Sequence, residues 1–196
     1  MMDVSRETLE KLSSYQSLVE KWNAKINLVS PTTIPHFASR HVADSVQIFD
    51  HLNDLSGHWA DLGSGGGLPG VVVAIMAGDE LKVTLVESDL RKSAFLRTVI
   101  RELSLHNTSV ISERIEQLQP LEANYISARA LAPLSVLLSM VDRHMLSDGT
   151  ALLMKGRAWE TECADARKHW RFDLCSFQSK TDPEAAILKI SGVSHA

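Results

Sequence analysis

Residues 61–70 read Asp-Leu-Gly-Ser-Gly-Gly-Gly-Leu-Pro-Gly, and this glycine-dense segment joins an apolar run at 59–62 to another at 71–77. Glycines at such a junction let the backbone turn tightly and approach a ligand that larger side chains would hold off. They also impose a large entropy loss on folding, so a turn serving structure alone is the weaker reading. Beyond the loop, strand-like runs at 83–86, 110–111, 125–126 and 151–154 alternate with helical stretches. That alternation argues for an α/β chain, a parallel sheet with helices on both faces. The tail differs: 172–177 and 186–190 are both strand-like, with Asp182-Pro183 in the short polar stretch between them, which fits an antiparallel hairpin at a sheet edge.

Ahead of the loop the pattern is helical. Leu9, Leu12, Val19, Trp22 and Ile26 recur at helical spacing, Ser30-Pro31 ends that segment, and a second helix is expected through Phe37, His41, Ile48 and Leu52. At 196 residues the chain suits one domain with an appendage, here a helical extension over 1–55 packed as one unit with a cofactor-binding part over 56–196. Hydrophobic residues make up 44% and charged residues 22%, a globular balance. Twenty Lys and Arg against 24 Asp and Glu exclude a generically basic nucleic-acid coat, but an enzyme acting on RNA needs only a local cationic cluster. The start lacks a basic and apolar leader pattern, and the run at 71–77 is far below the roughly 20 residues of a membrane span, so a cytoplasmic protein is expected. Cys163 and Cys175 form no metal-binding spacing and are expected as reduced thiols, and the scattered histidines read as packing or surface residues, so no metal is expected.

The glycine loop can be read in two registers. Gly65-x-Gly67-x-x-Gly70 matches the dinucleotide fingerprint, with Glu87 about 20 residues beyond it. Asp61-x-Gly63-x-Gly65-x-Gly67 instead sets the glycines at the strand end with the acid still on the strand, as in S-adenosylmethionine-binding folds. The second register is preferred, because Pro69 suits a first helical turn after Leu68, leaving 63–67 to face the cofactor. A nicotinamide-dependent oxidoreductase would also need a sizeable substrate domain after the sheet. Glu87, at the end of the second strand, can accept hydrogen bonds from two vicinal ribose hydroxyls. Next, Asp89, Arg91 and Lys92 open a helix through Phe95, Leu96, Val99 and Leu103, and the two cations there oppose the helix dipole unless Asp89 or an RNA phosphate compensates.

Open α/β sheets bind ligands beyond the carboxyl ends of their strands. That places Arg114-Ile115-Glu116, Ser127-Ala128-Arg129-Ala130 and Lys155-Gly156 at the reaction site. Glu116, beside the Ile115 backbone, could accept from an adenine amino group, or serve only as a first-turn helix acid. Arg129 could pair with a cofactor carboxylate, and Lys155 could reach an RNA phosphate. An Asn-Pro-Pro-Tyr or Asp-Pro-Pro-Tyr segment for exocyclic amines is missing, and neither cysteine follows a proline. HExxH, Walker and GxSxG motifs are missing too.

Together, Trp22-Asn23-Ala24-Lys25-Ile26-Asn27-Leu28, Arg40-His41-Val42-Ala43-Asp44-Ser45, the loop at 61–70, 85–96, Ser127-Ala128-Arg129-Ala130 and Lys155-Gly156 resemble one family over nearly the whole chain. It is the ribosomal small-subunit methyltransferase G family, also called glucose-inhibited division protein B. The resemblance implies a class I, Rossmann-like methyltransferase dependent on S-adenosylmethionine, with a mostly parallel seven-stranded sheet, an antiparallel C-terminal edge hairpin and helices in front. It further implies methylation at N7 of a guanine in the 530 loop of 16S rRNA, in a small ribosomal subunit or its precursor, by a monomer. Carried over by position, Gly63, Leu68, Ile115, Glu116 and Arg129 are expected at the cofactor, with Glu87 on its ribose and Asp61 and Gly65 in the same loop. Arg114, Arg129 and Lys155 are candidates for positioning the target, and Arg40, His41, Arg91, Lys92 and Lys155 for the RNA surface. Some relatives carry Thr and Pro where this loop has Ser64 and Gly66, a change in loop stiffness. A small-molecule methyltransferase is the alternative.

Overall fold

The computed structural model describes residues 4–52 and 55–196. Residues 1–3, on which part of the expectation about a leader rests, lie outside the described residues. Helix α1 (Arg6–Asn23) is capped by Ser5, whose hydroxyl accepts the Thr8 N–H, and it buries Tyr15, Val19 and Asn23. Those three recur every four residues, one face of a helix. Leu9 lies on the other face and is exposed, and Ile26 falls past the helix end, so the apolar face is narrower than the periodicity suggests.

The second helix expected through Phe37 and Leu52 is a series of short pieces. A 3-10 segment Pro31–His36 leads into a π turn Ala38–Val42, helix α2 (Ala43–Val46) and another 3-10 segment Gln47–His51. Pro35 interrupts the first piece, and the Ser45 hydroxyl donates to the His41 carbonyl at 2.8 Å across the join. Side-chain bonds to a carbonyl one turn back bend helices in this way.

Seven strands follow: β1 (Gly57–Leu62), β2 (Leu81–Val86), β3 (Thr108–Ile111), β4 (Ala123–Arg129), β5 (Met145–Lys155), β6 (Trp170–Gln178) and β7 (Ala186–His195). Helices α3 (Gly70–Ala77), α4 (Leu90–Glu102), α5 (Leu134–His144) and α6 (Trp159–Ala166) connect them. The sheet order is β3-β2-β1-β4-β5-β7-β6, parallel through β5 and antiparallel for β7 and β6. The hairpin thus closes one edge, with β7 and not β6 paired to β5. Helix α3 begins at Gly70, with Pro69 as its cap residue one position ahead of the expected first turn.

Neighbouring residues on each strand point to opposite faces. Trp59, Leu85, Leu152 and Ile187 enter one core with Tyr15, Phe37, Val72 and Phe95, while Ala60, Val86, Leu153 and Leu188 enter another with Leu134, Leu138 and Trp170. The amino-terminal helices therefore share a core with α3 and α4. Both faces being covered explains why β1 and β2 read as apolar runs.

Candidate functional site

At the carboxyl ends of β1, β2, β3 and β4 lies a cleft of about 390 Å³. Its wall is built from the loop at 63–68, Glu87 and Ser88, Lys92 of α4, the segment Glu113–Glu116, and Arg129 to Leu131, with Leu28 closing one side. The glycine loop fits its place at two points especially. Gly63 has φ +66° and a Cβ there would lie 2.5 Å from Leu131, while a Cβ on Gly70 would lie 2.6 Å from Asp61 Oδ2. Both positions thus favour glycine, one by conformation and one by close approach. Tyr15 supports the loop from below, its hydroxyl donating to the Gly66 carbonyl at 2.5 Å. Asn23 does the same for the other wall, its Oδ1 accepting the Leu28 and Val29 N–H groups.

Glu87 is nearly buried, and its two oxygens are anchored separately. Oε2 accepts the Gly65 N–H at 2.9 Å and Oε1 the Asp89 N–H at 2.7 Å. Each carboxylate oxygen retains a second lone pair for a ligand hydroxyl. Asp89 caps α4 by accepting the Arg91 and Lys92 N–H groups, which offsets the unfavourable placing of those cations. Arg91 is exposed, and Lys92 lines the cleft. On the opposite wall, Ile115 and Glu116 begin a 3-10 turn held by the last turn of α5. There His144 Nε2 donates to the Ile115 carbonyl at 3.0 Å, and the Arg143 guanidinium donates to the Leu118 carbonyl. Burial lowers the pKa of His144, and among the described residues its Nδ1 has no hydrogen-bond partner.

Asp61 does not line this cleft. It is fully buried, Oδ1 accepts the Ser127 hydroxyl at 2.6 Å, and that hydroxyl accepts Trp59 Nε1–H at 2.8 Å. Oδ2 lies by the Gly70 amide, without a well-formed hydrogen bond among the described residues. Burial pushes the acid up to about 6, partly opposed by the Ser127 hydrogen bond. Its contacts are internal: it ties β1 to β4 and packs closely against the start of α3.

Arg129 stands where the cleft meets a second one of about 340 Å³, and with Ala130 it lines both. Its guanidinium is already held. Nη1 donates to Asp44 Oδ2 at 2.9 Å and Nη2 to His41 Nδ1 at 2.5 Å. His41 is buried, and desolvation first, then the Arg129 charge, push it down to about 4. The neutral ring accepts from Arg129 at Nδ1 and donates from Nε2 to Thr33, at 2.7 Å. His41 is therefore part of the frame and presents no ring nitrogen to RNA. Lys155 is similarly committed: Nζ donates to the Ala132 carbonyl at 2.8 Å and pairs with Glu162 Oε2 at 2.7 Å. Arg40, a candidate for the RNA surface, is exposed, and Arg114, a candidate for positioning the target, is exposed and lines the cleft.

The residues that sequence reasoning left out of the site are supports contributed from a distance: Tyr15, Asn23, Asp44, His144 and Glu162. Asp44 lies inside a segment that carries the family resemblance, which was the available signal for it. Cys163 is buried and Cys175 exposed, both free thiols. Among the described residues, no group of His, Cys, Asp and Glu could hold a metal ion, and no helix is long and apolar enough to cross a membrane.

Similarity to solved structures agrees with this architecture. An S-adenosylmethionine-dependent methyltransferase from Aquifex aeolicus matches with a TM-score of 0.62 at 13% identity, over 89% of this chain and 97% of that one. The glycopeptide N-methyltransferase MtfA complexed with S-adenosylmethionine matches at 0.62 and 11%, over 79% and 95%. The fold is thus the class I, Rossmann-like methyltransferase fold. Sequence comparison goes further. The family model for rRNA small subunit methyltransferase G matches residues 8–186. The protein named ribosomal RNA small subunit methyltransferase G from Paracoccus denitrificans is 53% identical over the whole of both chains, and that from Ruegeria sp. is 48% identical over 98% of this chain and 94% of its own. With matches of that extent on a cleft placed where such folds bind their ligands, this chain belongs to the rRNA small subunit methyltransferase G family.

Proposed function

We propose that the protein methylates N7 of a guanine in the 530 loop of 16S rRNA, using S-adenosylmethionine and releasing S-adenosylhomocysteine. The observation that carries the cofactor half is the cleft itself. A glycine-lined turn with a left-handed backbone at Gly63 close against Leu131, a carboxylate oriented by two backbone amides at Glu87, and the Ile115–Glu116 turn converge on one volume. That donor and acceptor set suits a nucleoside carrying a charged amino-acid tail. Family membership and the motif resemblance support the acceptor half.

S-adenosylmethionine supplies an electrophilic methyl on a sulfonium. The chain's residues bind and align. Glu87 accepts from the ribose hydroxyls, the Ile115 backbone and Glu116 face the adenine edge, and the backbone at 63–68 packs along the cofactor. Arg129 has five N–H donors, and those left over from Asp44 and His41 point to a carboxylate ligand at the junction of the clefts. Guanine N7 has a free lone pair and no proton, so no general base is required; alignment and exclusion of water account for the rate. The N7–CH3 bond forms as the S–CH3 bond breaks, and the positive charge passes to the purine. Arg40, Arg91 and Lys92 supply cations for RNA phosphates, Arg114 on the cleft wall helps position the target, and a cationic set this small suits recognition of RNA shape within a cytoplasmic ribosomal particle.

The test is mass spectrometry of 16S rRNA from cells with and without the gene. Loss of 7-methylguanosine from the 530 loop, restored by wild type but not by Glu87→Ala, is the expected result. A mark that persists without the gene overturns the reading.

A further inference from the structure

The second cleft opens at the carboxyl ends of β4 and β5, and Arg129 and Ala130 form its wall toward the cofactor cleft. Lys155, Glu162, Ser179 and Asp44 line it as well. Adenine and guanine both carry N7, so an enzyme that methylates only guanine there must read another edge of the base. When N7 faces the cofactor cleft, the opposite edge faces away, into the second one. In guanine that edge presents N1–H and N2–H donors; in adenine it presents the N1 lone pair.

Two carboxylates line the second cleft, and they differ in what they can still accept. Asp44 is committed: Oδ2 accepts from Arg129, and Oδ1 from Gln47, Ser179 and Thr181. Glu162 is not. Its Oε2 accepts the Leu134 N–H at 2.7 Å and lies 2.7 Å from Lys155 Nζ, while no hydrogen bond reaches Oε1 among the described residues. Lys155 is itself pinned by the Ala132 carbonyl, so the carboxylate is held in place with one oxygen to spare.

We propose that the second cleft receives the target base and that Glu162 selects guanine, Oε1 accepting from N1–H and N2–H; the assignment rests on the guanine-N7 reading above. Adenine in the same pose sets its N1 lone pair against Oε1 and leaves that acceptor unpaired, the kind of mismatch that discriminates most strongly. Glu162 also faces the charge that develops. The N7 lone pair takes the methyl, the bonding pair stays on sulfur, no proton moves, and the purine becomes cationic. A carboxylate fixed at its far edge stabilises that cation in the transition state.

The experiment uses small subunits from cells lacking the gene, reconstituted with 16S rRNA carrying guanine or inosine at the target position. Inosine keeps N7, O6 and N1–H and lacks the N2 amino group. Methyl transfer is followed by mass spectrometry, and S-adenosylmethionine affinity by calorimetry. Glu162→Gln is expected to lower kcat/KM on guanine by about tenfold or more, with cofactor affinity within about threefold of wild type. The loss that wild type suffers on inosine is expected to shrink in the variant, since the lost contact is the same one. Equal kcat/KM for variant and wild type, an identical inosine loss in both, or a parallel collapse of cofactor affinity each overturns the assignment. Wild type that binds the cofactor yet leaves neither 7-methylguanosine on the guanine substrate nor 7-methylinosine on the inosine one overturns the guanine-N7 reading, and this assignment with it.

Discussion

Truncating Asp44 tests whether the frame around Arg129 is built as described. Its two oxygens receive Arg129 Nη1 at 2.9 Å, Gln47 Nε2 at 2.7 Å, Thr181 Oγ1 at 2.7 Å and Ser179 Oγ at 3.3 Å. Asp44→Ala leaves those donors without their acceptor, and the charged pair is mostly enclosed, with side chains 19% and 18% exposed. Removing one partner of a fully buried pair costs about 3–5 kcal/mol and an exposed pair contributes about 0–1, so a part-exposed pair with extra hydrogen bonds falls at about 2–3 kcal/mol. For a chain of this size that is a drop of about 4–12 °C in Tm. Circular dichroism melts at pH 7.5 measure it, beside Asp44→Asn, which keeps one acceptor oxygen and is expected to lose less. A Tm for Asp44→Ala within about 1 °C of wild type, on a clean two-state melt, would refute the reasoning.

Gly63→Ala meets both a left-handed backbone and Leu131, and is expected to lose about 1–3 kcal/mol together with most cofactor affinity, as read by melts and calorimetry. Glu87→Gln turns one of two acceptor oxygens into a donor facing a backbone N–H, so calorimetry should show affinity for S-adenosylmethionine weakened by about tenfold or more. His41 stays neutral in the fold down to about 4 while its unfolded form takes up a proton near 6.5. The unfolded state thus binds more protons in that window, and stability falls as pH drops from 6.5 toward 4. Asp61, raised to about 6, contributes with the opposite sign there, so urea midpoints of His41→Gln against wild type isolate the histidine: the variant's decline must be shallower. Finally, Arg40→Ala and Arg91→Ala should each reduce the salt dependence of small-subunit binding by about one unit of slope, and unchanged slopes would remove both from the RNA surface.

Much of the first cleft is legible in the chain because its parts are local to strand ends. The loop at 63–68, Glu87 and the pair Ile115–Glu116 each follow a readable strand, and the parallel order of β1, β2 and β3 then sets them side by side. Asp61 shows the limit of that logic. A strand-end acid can point to the ligand or inward, and burial against Ser127 and Gly70 sends it inward. His41 and Lys155 show another limit, since a charge or ring in a list of residues carries no sign of the partner that will occupy it.

The residues themselves determined the class of fold, the place of the cleft and the strand-end acid Glu87 that lines it, since apolar period, glycine spacing and strand ends are written in consecutive positions. Only the tertiary structure decided which polar groups remain available. Asp44 meets Arg129 from 85 positions away, Tyr15 meets Gly66 from 51, and Glu162 reaches Leu134 across 28. Pairings over such separations follow from packing of the whole chain, where each buried donor must find an acceptor, and no local pattern records which one it finds.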